Sequence, residues 1–223
     1  MRATLAALCV AYAAGAPSAD EVTALPGWSA PLLTKVYSGY VNVSTTAGMP
    51  MMVHYLYFES ENDPATDPTI MWSNGGPGAS SMFGLLVELG PYLLNDDSLT
   101  TNDYKKTGVP TLFPNKFSWS KLGSVLMFDW PPPVGFSYCG DPKGKGNSCG
   151  PWDDTRMAEV SYAALAGWYD LFPERQTNPL YLTGESCKRP LLRDSNSCPQ
   201  PVTMRGRSHG GGVCLTACLR HRR

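Results

Sequence analysis

The run Leu180-Tyr181-Leu182-Thr183, closed by Gly184-Glu185-Ser186, constrains the rest of the chain more than any other stretch. A short apolar run of β type, a glycine free to turn sharply and a serine just past the turn form the front half of a nucleophile elbow. An elbow of this kind lifts a hydroxyl above the carboxyl edge of a sheet. For the tripeptide alone, a turn with a solvated serine competes with this reading, so the upstream residues must decide.

Upstream, Lys35–Val43 and Pro50–Phe58 are β-rich and alternate, with Gly48 between them, which predicts an antiparallel hairpin. His54 falls within its second strand and reads as a packed or solvated strand histidine. Thr69–Trp72 is a short strand that runs into Ser73-Asn74-Gly75-Gly76-Pro77-Gly78. So many glycines let backbone N–H groups approach a ligand with no side chain in the way. A phosphate loop is the competing reading, but the Gly-Lys-Ser/Thr signature is missing. Ala79–Leu89 has helical spacing and stops at Gly90-Pro91, and Asn95–Phe117 reads as polar surface loop. Ser124–Phe128 is a buried-strand run, and Pro131-Pro132-Pro133 then forces the chain out of the sheet. Cys139 and Cys149 bracket a polar excursion and are expected to close a local disulfide, the alternative being two unpaired thiols. Asp153–Phe172 carries Met157, Val160, Ala164, Leu165, Trp168, Leu171 and Phe172 on one face, with Asp153 or Asp154 as cap and Pro173 as stop. A hairpin followed by strands separated by helices predicts an α/β fold with a mostly parallel sheet.

Charge divides the chain. Residues 1–187 hold 10 Lys and Arg against 18 Asp and Glu, whereas 188–223 hold 8 against one, with no aromatic residue. Residues 188–223 are therefore expected to be an unrelated basic tail without structure, such as a shifted reading frame or retained intron would produce. A nucleic-acid arm is the alternative, but no aromatic interleaving supports it, and no nucleic-acid partner is expected. At the other end, Arg2, the apolar stretch Ala3–Ala14 and the small residues Ala14-Gly15-Ala16 read as a secretory signal covering residues 1–19. No apolar run is long enough to span a bilayer, so no membrane association is expected after cleavage. Asn42-Val43-Ser44 is an N-glycosylation sequon that suits this route to a secreted, lysosomal or vacuolar destination.

Five motifs carry more than pattern. Trp72-Ser73-Asn74-Gly75-Gly76-Pro77-Gly78-Ala79-Ser80-Ser81, Glu88-Leu89-Gly90-Pro91, Asn115-Lys116-Phe117-Ser118-Trp119, Val134-Gly135-Phe136-Ser137-Tyr138 and Gly184-Glu185-Ser186 closely resemble, in order, the serine carboxypeptidase family. The resemblance covers roughly residues 25–187. It implies the N-terminal half of an α/β-hydrolase fold, in a domain spanning 20–187, and removal of single residues from peptide or protein C-termini through a Ser-His-Asp triad. It matches Ser186 to the nucleophile, and the N–H groups of Gly76 and Cys187 to the oxyanion hole. It matches Asn74 and Glu185, with Trp72 nearby, to the cluster that holds the substrate's terminal carboxylate. A carboxylate beside Glu185 binds only if a proton is shared, which favours acid pH. No cofactor or metal is implied.

The chain departs from the family where Gly-Glu-Ser continues with Cys187-Lys188-Arg189-Pro190 in place of Tyr-Ala-Gly, and where Ala79 replaces the usual cysteine. After Ser186 the only Asp and His residues are Asp194, His209 and His221, and none follows a strand of the expected order. Triad acid and histidine are thus missing, and this chain is expected to be inactive, with its last apolar strand at an open sheet edge. A carboxypeptidase-like acyltransferase or a non-catalytic binding protein on the same scaffold is the alternative. Cys214, Cys218 and His221 supply only half of a metal site.

Overall fold

The computed structural model describes residues 15–44, 50–76, 78–140 and 149–185, together with the backbone of two strands at 201–208 and 211–218. In chain order its elements are β1 (Glu21–Val22), β2 (Val36–Asn42), β3 (Met51–Phe58), β4 (Thr69–Trp72), β5 (Tyr92–Leu93), α1 (Asn102–Thr107), β6 (Phe113–Pro114), β7 (Ser124–Phe128), β8 (Tyr138–Cys139), α2 (Asp154–Leu171), β9 (Leu180–Glu185), β10 (Pro201–Ser208) and β11 (Gly211–Cys218).

One sheet takes the order β1-β2-β3-β7-β4-β9-β11-β10, with β8 paired to the start of β3. Its centre, β7-β4-β9, is parallel. Antiparallel strands flank it on both sides. The expected hairpin is β2-β3, in a register that sets Val36 opposite Phe58. From β4 the chain moves to one side for β7 and then passes to the other side for β9. That reversal puts a topological switch point between β4 and β9, the place where open α/β sheets leave a crevice beyond the carboxyl ends of their strands.

Alternation along β3 feeds two cores. Val53, Tyr55 and Tyr57 belong to the cluster under α2, and Leu56 and Phe58 to the cluster on the opposite face. Asp153 caps α2 by accepting the Arg156 N–H at 2.8 Å, and Met157, Val160, Ala164 and Trp168 turn inward. Trp168 is wholly buried, with its ring 5.0 Å from Tyr57 and 4.8 Å from Phe172. Truncating a buried indole of this kind costs about 3–5 kcal/mol.

Two stretches differ from the sequence reading. Residues 95–117, expected to be loop, contain a 3₁₀ turn Asp96–Leu99, helix α1 and strand β6, which pairs with β5 just upstream. Local capping accounts for the helical pieces. Asn95 and Ser98 form a reciprocal capping box, the Tyr104 N–H donates to Thr101 Oγ1, and Gly108 closes α1 at φ +71°. Residues 188–223, expected to be without structure, contain β10 and β11, and β11 pairs antiparallel along all of β9. An apolar strand with free N–H and C=O groups is a ready template, and Val213 and Thr216 are good strand formers. The expected signal segment lies outside the described residues through residue 14.

Candidate active site

The carboxyl ends of β4 and β9 bring Trp72, Asn74 and Glu185 together. The Glu185 N–H donates to the Ser73 carbonyl at 3.3 Å, and Thr183 Oγ1 donates to the Met71 carbonyl at 2.8 Å. These bonds extend the β4-β9 pairing to the point where both strands leave the sheet.

Asn74 is buried, and its amide has one orientation available. Its Oδ1 accepts from Trp72 Nε1 at 2.8 Å and from the Gly84 N–H at 3.1 Å. With both donors on the oxygen, the amide nitrogen must face outward, and Nδ2 donates to Glu185 Oε1 at 2.9 Å. The Asn74 N–H in turn donates to Ser81 Oγ at 3.2 Å.

Helix signals after the glycine-rich loop resolve into a wide turn, a π-helix over Gly84–Leu89. A Cβ on Gly84 would lie 2.2 Å from Trp72 Nε1 and 2.7 Å from Asn74 Oδ1, so this position admits only glycine while the amide holds its place. Gly84 is a site residue that motif matching did not single out, although its place in a helical run was a visible anomaly. In the loop itself, Gly76 has φ +127° and Gly78 φ +110°, conformations open to glycine alone.

Glu88, near the end of the same turn, senses the charge of Glu185. It is exposed overall, yet partial desolvation, and after it the negative charge of Glu185, raise its carboxyl above the usual range. The site thus combines a fixed amide donor with two neighbouring acids. That chemistry suits a carboxylate that arrives with, or meets, a proton.

Ser186 and Cys187 lie outside the described residues, so the structure brings together Trp72, Asn74, Glu185 and the glycine-rich loop and describes β9 only up to Glu185. Cys139 and Cys149 are joined by a disulfide with Cα atoms 5.5 Å apart. Asn42 is exposed at the end of β2, and its Oδ1 accepts the Ser44 N–H at 3.0 Å. Cys214, Cys218 and His221 have no described side chains. Among the described residues there is no group of three or more His, Cys, Asp or Glu able to hold a metal ion.

Comparison with known proteins matches residues 26–187 to the serine carboxypeptidase family. The chain belongs to this family. It is 40% identical over 171 residues to the lysosomal protective protein of Mus musculus, an alignment covering 77% of this chain and 32% of that one. It is 36% identical over 219 residues to serine carboxypeptidase-like 20 of Arabidopsis thaliana, covering 94% and 41% of the two chains. Serine carboxypeptidase 1 of Hordeum vulgare is 34% identical over 210 residues, covering 90% and 40%. Among solved structures, a prohormone-processing carboxypeptidase from Saccharomyces cerevisiae superposes with a TM-score of 0.55 at 27% identity, over 68% of this chain and 31% of that one. The fold is therefore that of the α/β-hydrolase carboxypeptidases, and the chain spans about a third to two fifths of the length of these relatives. No described helix is long and apolar enough to cross a membrane.

Proposed function

We propose that the β4-β9 crevice is a receptor for the free carboxyl end of a peptide, as in a serine-type carboxypeptidase, with Ser186 in the nucleophile's position. One observation carries this reading: buried Asn74 is forced to aim its amide nitrogen at Glu185, where a terminal carboxylate would find a donor and a proton-sharing acid. In a complete enzyme Ser186 Oγ would attack the last peptide carbonyl, a histidine would take its proton, and Gly76 and Cys187 N–H groups would hold the oxyanion. Binding of the peptide's carboxyl end is the part of that chemistry that the described residues support.

Binding should favour acid pH. The raised Glu88 carboxyl keeps its proton to higher pH than a free glutamate. While it does, an incoming carboxylate meets one negative charge fewer. Affinity for free-acid peptides is therefore greatest below that raised value and falls as pH climbs through it. The same reading suits a secreted, lysosomal or vacuolar protein. The disulfide, the exposed Asn42 sequon and a relative with a lysosomal name support that setting.

The test compares matched peptides with free-acid and amidated C-termini by fluorescence anisotropy at pH 5. Glu185→Ala should weaken binding of the free acid by roughly tenfold to a hundredfold and leave the amide unchanged, the loss of a hydrogen bond to a charged group. Equal losses for both peptides would reject the site.

A further inference from the structure

We propose that Asp129, oriented by His54, is a positioning residue that anchors the glycine-rich loop 73–81. The inference rests on the reading of that loop as the one facing substrate, but its test reads the loop itself and not peptide binding.

Asp129 follows β7 and is wholly buried. Its carboxylate accepts from three separate segments: His54 Nδ1 of β3 at 3.0 Å, the Phe136 N–H at 3.1 Å, and Ser80 Oγ of the glycine-rich loop. A buried carboxylate is costly unless such donors surround it, so the three bonds stand or fall together. The surroundings are shaped for it. A Cβ on Gly135, which has φ +56°, would sit 2.3 Å from the Asp129 carboxyl carbon.

His54 has a defined role in this cluster. Its Nε2 lies 2.9 Å from Ser38 Oγ, while Nδ1 faces Asp129. A carboxylate can only accept, so Nδ1 carries the proton that bonds it, and the Ser38 hydroxyl, able to donate or accept, partners Nε2. Asp129 thus decides that Nδ1 carries a proton, and Ser38 holds the far side of the ring.

From the carboxylate the path to the site is short. Ser80 donates to Asp129, and its neighbour Ser81 accepts the Asn74 N–H. Ser80 Oγ also accepts the Met82 N–H at 3.2 Å, which starts the turn containing Gly84. The loop between Asn74 and Ser80 holds two glycines with positive φ and has little intrinsic stiffness. Asp129 and Asn74 hold its two ends.

Hydrogen-exchange mass spectrometry of the full chain tests this with two substitutions that part hydrogen bonding from packing. His54→Asn keeps an N–H donor near the Nδ1 position but loses the ring. His54→Phe keeps the ring that packs against Tyr40 and Phe136 but loses the donor. Exchange in 74–83 should stay close to wild type in His54→Asn and rise about tenfold or more in His54→Phe. Ser80→Ala, a loop substitution that leaves both cores intact, should raise exchange in 74–83 without affecting β3. A proton resonance for His54 Nδ1–H, shifted downfield by its carboxylate partner, should disappear in Asp129→Asn. Protection restored by His54→Phe and not by His54→Asn would make the histidine a packing residue and overturn the proposal. Unchanged exchange in Ser80→Ala would do the same, even if the histidine variants fail to fold.

Discussion

Asn74→Asp is the most informative single change at the β4-β9 crevice. It keeps Oδ1, and with it the bonds from Trp72 Nε1 and the Gly84 N–H, but replaces the donor facing Glu185 with a second acidic oxygen. Two unit charges 4 Å apart repel by about 4 kcal/mol at an effective dielectric near 20, and the partial exposure of Glu185 screens some of this. Retaining one proton across the pair instead costs about 1.4 kcal/mol for each pH unit above the ordinary carboxyl range. The variant should therefore lose about 2–3 kcal/mol of stability at pH 7. Its folded state binds a proton that the unfolded chain releases near pH 4, so the loss vanishes at and below about pH 4 and grows as pH rises. Urea melts of wild type and variant between pH 4 and 7.5 read this directly. A loss of equal size at every pH would mean that the amide does not face an acid, and the orientation argued from the two donors on Oδ1 would be wrong.

Further outcomes follow from the same geometry. Gly84→Ala should destabilise the fold by about 1–3 kcal/mol and abolish discrimination between free-acid and amidated peptides, because the new methyl displaces Asn74; a fully stable variant that still discriminates would refute it. Removing 188–223 should shift the protein toward aggregates on a sizing column, because it bares the β9 edge that β11 covers; a shortened chain that aggregates no more than the full one would show that β11 protects nothing. A fluorophosphonate probe at pH 5 and 7 should leave Ser186 of these 223 residues unmodified, and stoichiometric labelling lost on changing His209 or His221 to Ala would show that one of them serves as base.

Much of this was legible from residue order. The hairpin, β4, β7, α2 and β9 each announce themselves by a period of 2 or 3.6, or by an unbroken apolar run, because burial of one face is imposed along each element separately. Trp72, Asn74 and Glu185 could be matched to the family's carboxylate cluster because its motifs are contiguous. Short polar elements escaped this reading. The pieces within 95–117 are held by caps and by one two-residue ladder, not by an apolar face, so no periodicity marks them. Charge and the lack of aromatic residues suggested that the tail has no structure, since composition does not register an open strand edge elsewhere in the fold.

What the sequence determined by itself, then, is the hairpin, β4, β7, α2 and β9 and the residue types at the crevice, which follow from local pattern and motif. What only the tertiary structure decided are relations between distant residues. Asn74 and Glu185, 111 positions apart, meet because β4 and β9 are parallel neighbours at the switch point, and the direction of the Asn74 amide is set by Trp72 and Gly84 both donating to its oxygen. His54, read from its strand as unremarkable, becomes one arm of a buried carboxylate hub because β3 pairs with β7 and carries Asp129 beside it. Hydrogen-bond partners of this kind are chosen by packing in three dimensions, and no spacing along the chain encodes them.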